Sequence, residues 1–321
     1  MTPAKREVMD KPHLQTAEPP LSKEEPLGAS ETPPPTAVSV VIPAYNEQEA
    51  IAAQIETIEQ VMNRSGWPYE LIVVDDGSTD GTAEQVGRHT VRLIQLPRNR
   101  GYGAALKAGI AASQNDWIVI TDADGTYPAE AIPALLERAH DYEMVVGARV
   151  GRNVSMPFER KLAKWFLGRL ASYLAEQPIP DLNSGLRILK KPLVEKFLHL
   201  LPSGFSFTTT ITLALLCNDY RVYYHPIDYH RRVGSSKIRP AHAYQFLILI
   251  LRTVVYFNPL RVFLPLGTGL FLAGLAKFIY DLFRWNLSES AVLGILGGVL
   301  LWGIGLLADQ LSRISLALKS K

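Results

Sequence analysis

The chain has 321 residues, and its 33 lysines and arginines nearly balance 31 aspartates and glutamates, for a formal net charge of +2. This balance gives no basis for nucleic-acid binding, which needs a concentrated basic surface. The single cysteine, Cys217, excludes an internal disulfide, and its position after an apolar run indicates a packing role. The length exceeds that of one typical domain, so we expect a folded core with appended segments.

The composition divides the chain into three regions. Residues 1–36 are rich in proline, glutamate, lysine, serine and threonine and lack the apolar segment of a signal peptide, so we expect a disordered, proline-rich tail. Residues 37–240 alternate short apolar runs with amphipathic segments, as an α/β domain does. Residues 241–321 are strongly apolar and predict contact with a membrane.

Strands and helices are predicted in alternation along the central region. The strand at 38–42 is followed by an amphipathic helix over 47–62, whose apolar residues repeat every three or four positions. Further apolar runs predict strands at 71–74, 91–96, 117–120 and 144–146, with helices between them, one of which begins at Pro128 and ends at Arg138. This order is typical of a doubly wound, mostly parallel sheet.

The second half of this region is less regular. Residues 158–176 have a helical period with basic residues among the remainder, and a short strand is predicted at about Arg187. We expect a helix over 206–216, a strand over 221–225 and a basic loop over 230–239.

Two apolar segments near the end of the chain, at about 262–280 and 290–308, approach the roughly 20 residues needed to cross a bilayer. Buried core helices are the alternative, but a pair appended to a complete domain favours a transmembrane hairpin. Its outer ends carry most of the nearby basic residues, so the positive-inside rule predicts that residues 37–240 are cytosolic. A juxtamembrane helix is predicted over 243–257. Small residues in the second segment predict a homo-oligomer that associates through Gly294, Gly297 and Gly298.

Polar motifs follow three of the predicted strands. Asp122 and Asp124 follow the strand at 117–120, and their i, i+2 spacing points both side chains to one side of an extended chain. Ligands bind at the carboxyl ends of strands in open α/β sheets, so two hard oxygen donors there predict a Mg²⁺ or Mn²⁺ site shared with substrate phosphates. An ordinary polar turn is the alternative.

The other two motifs are Pro43-Ala44-Tyr45-Asn46-Glu47 and Asp75-Asp76-Gly77-Ser78. If the three strands are neighbours, these motifs meet over one crevice, where an aromatic and acidic set can hold a nucleoside. No Gly-x-Gly-x-x-Gly follows the first strand, so a dinucleotide-dependent oxidoreductase is disfavoured, and no P-loop pattern occurs.

Six stretches together resemble a known family. Residues 40–47 (Val-Val-Ile-Pro-Ala-Tyr-Asn-Glu), 73–82 (Val-Val-Asp-Asp-Gly-Ser-Thr-Asp-Gly-Thr) and 122–124 (Asp-Ala-Asp) are similar to family 2 glycosyltransferases of the GT-A fold. The match narrows to polyprenyl-phosphate glycosyltransferases, which include dolichyl-phosphate mannose and glucose synthases, through residues 146–149 (Val-Gly-Ala-Arg), 183–187 (Asn-Ser-Gly-Leu-Arg) and 231–238 (Arg-Arg-Val-Gly-Ser-Ser-Lys-Ile). The resemblance covers roughly residues 38–240, and the membrane hairpin agrees with bacterial members.

The resemblance implies an inverting, metal-dependent transfer of a sugar from a UDP-sugar or GDP-mannose to undecaprenyl or dolichyl phosphate. The residues that it implies for nucleotide binding are Pro43, Tyr45, Glu47, Asp75, Asp76 and Ala123. It implies Mg²⁺ or Mn²⁺ on Asp124 as the principal ligand, with Asp122 as a contact to the ribose or the metal. It also implies closure over the donor diphosphate by Arg231, Ser236 and Lys237. The residues that it implies for the acceptor phosphate are Arg149, Arg160, Ser184 and Arg187.

Two positions depart from the family pattern. Thr126 stands where members with Asp-x-Asp-x-Gln have a metal-binding glutamine, so we expect water to complete the metal shell. Tyr102 stands where many relatives have lysine, so Arg100 or Lys107 would have to supply that charge. The nearest alternative function is a processive polysaccharide synthase, but its Gln-x-x-Arg-Trp motif does not precede the apolar segments. A non-catalytic, nucleotide-binding membrane scaffold is the alternative from another class.

Overall fold

The computed structural model describes residues 35–150, 168–173, 175–204, 206–230, 242–285 and 288–319, with side chains except at 242–247, 249 and 315–319. Most of the predicted tail, the first part of the helix predicted over 158–176 and the basic loop after His230 lie outside these residues. Four of the predicted site residues also lie outside them, namely Arg160, Arg231, Ser236 and Lys237.

Seven strands form one sheet in the order β3-β2-β1-β4-β6-β5-β7. The strands are β1 (Val38–Ala44), β2 (Tyr69–Asp75), β3 (Arg92–Gln95), β4 (Trp117–Ile120), β5 (Met144–Arg149), β6 (Arg187–Lys190) and β7 (Val222–Ile227). All neighbouring pairs are parallel except those of β6, which runs antiparallel to β4 and to β5. The predicted mostly parallel α/β sheet is confirmed, with one reversed strand.

Helices lie on both faces of this sheet and continue into the C-terminal region. The helices are α1 (Ile51–Ser65), α2 (Thr82–Val86), α3 (Tyr102–Ala112), α4 (Ile132–Arg138), α5 (Lys191–Phe197), α6 (Phe207–Leu216), α7 (His242–Phe257), α8 (Leu260–Phe283) and α9 (Glu289–Lys319). Residues 168–173 are also helical, and a 3₁₀ turn at Ala129–Ala131 precedes α4.

The core has two layers because consecutive strand residues face opposite sides of the sheet. On one side, Val40 and Ile42 of β1 belong to a buried cluster with Ile55 of α1. On the other side, Val41 of β1 belongs to a second buried cluster with Leu106 of α3. All seven residues of β1 are buried, as expected for a central strand that is covered on both faces.

The first helix begins four residues later than its apolar period predicts. Residues 46 and 47 are instead held by the loop after β2: the Asn46 N–H donates to Ser78 Oγ at 2.9 Å, and the Glu47 N–H donates to Thr82 Oγ1 at 2.9 Å. Asn46 also has a left-handed backbone with φ 53°, which a helix does not allow. The first polar motif is thereby kept as a loop at the end of β1.

Helices α8 and α9 are both long and apolar enough to cross a membrane. Only 11% of the apolar 18-residue stretch of α8, and 17% of that of α9, is buried within the protein. They pack along each other through small residues, with Gly274 of α8 against Gly294 of α9 and Gly298 against Phe271. Gly294 and Gly298, which we expected to support self-association, therefore serve the contact between these two helices. The predicted homo-oligomer stays a prediction.

We predict that Gly274→Ala destabilises this hairpin. A Cβ at Gly274 would lie 2.6 Å from the backbone nitrogen of Ile295, so the helices must separate or shift. Overpacking of this kind costs about 1–3 kcal/mol, and thermal unfolding in detergent micelles should show it as a lower midpoint.

The matched control for this prediction is Gly269→Ala in the same helix, where a Cβ would meet nothing within 4 Å. Alanine is the better helix former by about 1 kcal/mol, so this variant should unfold at the same or a higher temperature. Equal losses for both variants would contradict the close contact of α8 with α9 at Gly274.

Candidate active site

The carboxyl ends of β1, β2 and β4 lie side by side, since β1 pairs in parallel with both of the other strands. A crevice of about 220 Å³ lies between the loops at these ends and the start of α3. Its lining includes residues of all three predicted motifs, namely Pro43, Ala44, Tyr45, Glu47, Asp76, Asp122, Ala123 and Asp124. The prediction that these motifs meet over one crevice is therefore confirmed.

Asp76 lines this crevice and also holds the loop in front of α3. Its Oδ1 accepts the backbone N–H of Arg100 and its Oδ2 accepts that of Gly101, each at 2.8 Å. These bonds fix the start of α3, where Tyr102 forms part of the crevice wall. Asp75, also predicted to contact the nucleotide, is not among the described residues that line the crevice. Its Oδ1 accepts the N–H of Ser78 at 2.9 Å.

The two carboxylates of the third motif are both held by neutral donors. The Tyr102 hydroxyl donates to Asp122 Oδ1 at 3.0 Å. The backbone N–H and the hydroxyl of Thr126 donate to Asp124 Oδ1 at 3.1 Å and 2.6 Å. Thr126, found where glutamine is the family's metal ligand, therefore orients Asp124 within its own loop.

The charge that we expected near Tyr102 is not supplied by either predicted residue within the described part of the chain. Lys107 Nζ donates a hydrogen bond to the carbonyl oxygen of Leu201. The contact of Arg100 with Asp76 is made by its backbone N–H. Neither side chain belongs to the described crevice lining. Burial, followed by the neighbouring Asp122 charge, raises the pKa of Tyr102 well above its ordinary value, so the phenol stays a neutral donor.

The donor atoms in this crevice fit a divalent metal. Asp122 and Asp124 supply hard carboxylate oxygens, and Mg²⁺ is commonly held by one or two carboxylates together with substrate phosphates. Among the described residues, no third histidine, cysteine, aspartate or glutamate joins them in a metal-binding cluster. Substrate phosphate oxygens and water are the ligands that commonly complete such a shell.

Arg149, at the end of β5, is held by a carboxylate and two aromatic rings. Its Nε and Nη2 donate to Asp181 Oδ2 and Oδ1 at 2.6 Å and 2.8 Å. The guanidinium lies over the ring of Tyr127, 5.9 Å from its centroid, and over that of Tyr229 at 5.3 Å. Burial, the largest single effect, lowers the pKa of Arg149, but the hydrogen bonds to Asp181 together with the Asp181 charge and the two neighbouring tyrosines raise the pKa above its ordinary value.

This arrangement leaves one edge of the Arg149 guanidinium for a ligand. A guanidinium presents five N–H donors in a fixed plane, and Asp181 takes the Nε side of that plane. Among the described residues, no hydrogen-bond acceptor contacts Nη1, and the Arg149 side chain is 18% exposed. A second anion with phosphate geometry fits this remaining edge.

Ser184 and Arg187, which we expected to contact the acceptor phosphate, are both fully buried. Ser184 Oγ donates to the Gly147 carbonyl at 2.5 Å. Arg187 donates to the carbonyl oxygens of Ser184 and Leu182 at 2.7 Å and 2.9 Å, and to Thr212 Oγ1 at 2.5 Å. This placement does not agree with a direct phosphate contact, because both side chains instead brace the loop between residues 181 and 187.

Sequence reasoning missed the residues that surround Arg149. Asp181 lies 32 residues from Arg149, and no functional prediction from sequence includes Asp181, Tyr127 or Tyr229. The one available signal was position, because Tyr127 follows the paired carboxylates and Asp181 precedes the Asn-Ser-Gly stretch. Nothing in the local sequence specifies that these segments meet.

Comparisons with known proteins agree with a glycosyltransferase fold and site. The chain matches the Glycosyl transferase family 2 model over residues 39–198 and the GtrB C-terminal hairpin model over residues 258–314. The undecaprenyl-phosphate 4-deoxy-4-formamido-L-arabinose transferase of Pectobacterium carotovorum is 30% identical over 304 residues, which cover 86% of this chain and 88% of that protein. The bactoprenol glucosyl transferase of Shigella phage SfX is 29% identical over 88% of this chain and 96% of its own length.

A solved structure shows the same fold at lower identity. Glucosyl-3-phosphoglycerate synthase from Mycobacterium tuberculosis, in complex with UDP, superposes with a TM-score of 0.55 and 23% identity over 68% of this chain and 80% of its own. Other structures of that enzyme contain Mn²⁺ or Mg²⁺ together with UDP.

The α/β sheet has the GT-A type of fold, and the family model and the relatives identify the class as a glycosyltransferase. The chain belongs to glycosyltransferase family 2, and its C-terminal hairpin associates it with the membrane.

Proposed function

We propose that this enzyme transfers one sugar from a nucleoside-diphosphate sugar to a polyprenyl phosphate at the cytosolic face of the membrane. The named lipid acceptors of its relatives, undecaprenyl phosphate and bactoprenol, support this acceptor class. The observation that carries the proposal is the position of Tyr127. Its ring packs under the Arg149 guanidinium, while its hydroxyl accepts the N–H of Gly185, whose backbone abuts Asp122. A candidate acceptor arginine therefore borders the same site as the candidate metal ligands.

On the donor side, the crevice offers surfaces for each part of a nucleotide. Tyr45 and Pro43 form an apolar wall that suits a base, and the polar groups of Glu47 and Asp76 lie on the same lining. Asp122 and Asp124 would hold Mg²⁺ or Mn²⁺, which when bound neutralises charge that develops on the leaving diphosphate. Arg231, Ser236 and Lys237 remain predicted contacts to that diphosphate.

On the acceptor side, the nucleophile is a phosphate oxygen of the lipid. A phosphate monoester has a second pKa of about 6 and is mostly dianionic at pH 7, so the reaction needs no general base. The task of the protein is to hold this dianion close to the anomeric carbon. The remaining edge of Arg149, preorganised by Asp181 and two aromatic rings, is suited to it, and Arg160 is predicted to contribute.

The reaction is a single displacement. A bond forms between the lipid phosphate oxygen and the anomeric carbon as the bond from that carbon to the diphosphate oxygen breaks, and the bonding pair leaves with the nucleoside diphosphate. Attack from the face opposite to the leaving group inverts the anomeric configuration. Helices α8 and α9 would keep the site next to the bilayer in which the lipid is dissolved.

We predict that Asp124→Asn reduces sugar transfer by at least about 100-fold, because a neutral amide is a poor ligand for a hard cation. The measurement is transfer of radiolabelled sugar from UDP-glucose, UDP-N-acetylglucosamine and GDP-mannose to undecaprenyl phosphate, counted in the lipid phase. A chelator should abolish transfer by the wild-type enzyme, and added Mg²⁺ or Mn²⁺ should restore it.

The matched control for Asp124→Asn is Asp141→Asn, which changes an exposed carboxylate beside His140 and should leave transfer unchanged. Transfer that survives both chelation and Asp124→Asn would contradict the metal site. A folded protein that binds nucleotide but labels no lipid from any donor would contradict the acceptor class.

A pair of arginine variants separates an acceptor contact from a structural role. Arg149→Lys keeps the charge but cannot contact Asp181 and a phosphate with two N–H groups each, so the KM for polyprenyl phosphate should rise about tenfold or more. The buried Asp181 also loses a donor, so the melting temperature should fall as well, and the acceptor KM is the readout specific to a phosphate contact. Arg187→Lys leaves buried carbonyl oxygens without donors, so it should cost about 3 kcal/mol of stability.

Kinetics with varied acceptor, together with thermal unfolding of both variants, would test this assignment. A normal acceptor KM in Arg149→Lys, or a normal melting temperature in Arg187→Lys, would overturn the role given to that arginine.

A further inference from the structure

Asp122 is enclosed from two sides by parts of the chain that are distant in sequence. On one side, the Tyr102 hydroxyl donates to Oδ1 at 3.0 Å. On the other side, the backbone of Gly185 is packed so closely that a Cβ there would lie 2.6 Å from Oδ2 and 2.7 Å from Oδ1. The carboxylate is therefore confined between a hydroxyl group and a peptide backbone.

The Gly185 side of this enclosure is itself fixed by a tyrosine. The N–H of Gly185 donates to the Tyr127 hydroxyl at 2.7 Å, and Tyr127 is only 3% exposed. The neighbouring peptide is held as well, because Ser184 Oγ donates to the Gly147 carbonyl and Arg187 Nε donates to the Ser184 carbonyl. Gly185 thus forms a rigid wall, and the Tyr127 hydroxyl is the acceptor that holds its N–H.

The Tyr102 side is equally well fixed. Tyr102 is the first residue of α3, directly after the Gly101 N–H that Asp76 holds at 2.8 Å. The N–H of Ala104 donates to the Ser203 carbonyl at 3.0 Å, which anchors the first turn of the helix. The phenol oxygen therefore has a defined position from which to hold Asp122.

We propose that Tyr102 and Tyr127 are positioning residues that set the orientation of Asp122 for metal binding, Tyr102 by its direct hydrogen bond and Tyr127 by fixing the Gly185 backbone. A neutral hydroxyl orients a carboxylate without placing a positive charge beside the cation site. Partners of this kind behind metal ligands contribute about 10- to 100-fold in metal affinity. This inference rests on the proposed function, because it assigns residues that prepare the same metal site.

The test is Mn²⁺ binding by the purified full-length protein with UDP or, in a parallel series, GDP, measured as loss of the free-ion signal in electron paramagnetic resonance. Tyr102→Phe and Tyr127→Phe each remove one hydroxyl and keep the ring. Each should weaken Mn²⁺ binding by about 10- to 100-fold while the acceptor KM stays close to wild type, when measured well below the unfolding midpoint of each variant. Tyr127→Phe should also lower that midpoint, because the buried Gly185 N–H loses its acceptor. Tyr142→Phe, in a tyrosine that packs on Tyr223 away from the crevice, should bind Mn²⁺ as the wild type does.

An Asp122→Ala background shows whether the two hydroxyls act through this carboxylate. If they do, adding Tyr102→Phe or Tyr127→Phe to Asp122→Ala weakens Mn²⁺ binding no further. Undiminished Mn²⁺ binding in both single variants, or an equal further loss in the Asp122→Ala background, would overturn the inference and leave the proposed function intact. No Mn²⁺ binding by the wild-type protein with either nucleotide would contradict the metal-dependent function and this inference together.

Discussion

Parallel pairing of β1 with β2 and β4 is the constraint on which the rest of the site depends. Three strands that run in the same direction end at the same edge of the sheet, so the polar loops after them meet there. Hydrogen bonds between the loops, such as that from the Asn46 N–H to Ser78 Oγ, then hold them together. All seven residues of β1 are buried, and packing of its alternating side chains into two core layers fixes its register. A one-residue slip would exchange the two faces of the strand and move the loop that carries Tyr45 and Glu47.

The reversed strand β6 brings the loop that contacts Arg149 to the edge of the sheet where Asp122 lies. Because β6 runs antiparallel between β4 and β5, the loop before it returns to the edge where Asp122 and Arg149 lie. Asp181 and Gly185 both belong to this loop, one bonded to Arg149 and the other packed on Asp122. The buried Arg187 side chain stabilises this loop by donating hydrogen bonds to the carbonyl oxygens of Ser184 and Leu182. The large cost of leaving such groups unpaired keeps the loop in one conformation.

The sheet and the crevice were predictable from sequence, whereas the supporting contacts were not. Apolar runs at 38–42 and 117–120 predicted buried strands, and the position of Asp122 and Asp124 directly after the second run predicted that both carboxylates lie at a strand end. The extended conformation assumed for their i, i+2 spacing is replaced by a turn at Ala123 and Asp124. The pairing of Arg149 with Asp181 spans 32 residues, and the bond of Tyr102 to Asp122 spans 20. Such contacts are set by how β6 and α3 pack, which no local pattern records. Arg187 is an example of what sequence does not predict. Its place in a motif predicts a ligand contact, whereas tertiary packing buries it and directs its donors to backbone carbonyl oxygens.

The central claim is that Asp122 and Asp124 form a metal site at the carboxyl edge of the sheet. The most direct measurement is anomalous scattering from Mn²⁺ in crystals of the protein that contain its nucleoside diphosphate. We predict a peak at coordination distance, about 2 Å, from a carboxylate oxygen of Asp124 and next to the diphosphate. Nucleotide bound in the crevice without such a peak, or a Mn²⁺ peak held by other residues, would contradict it.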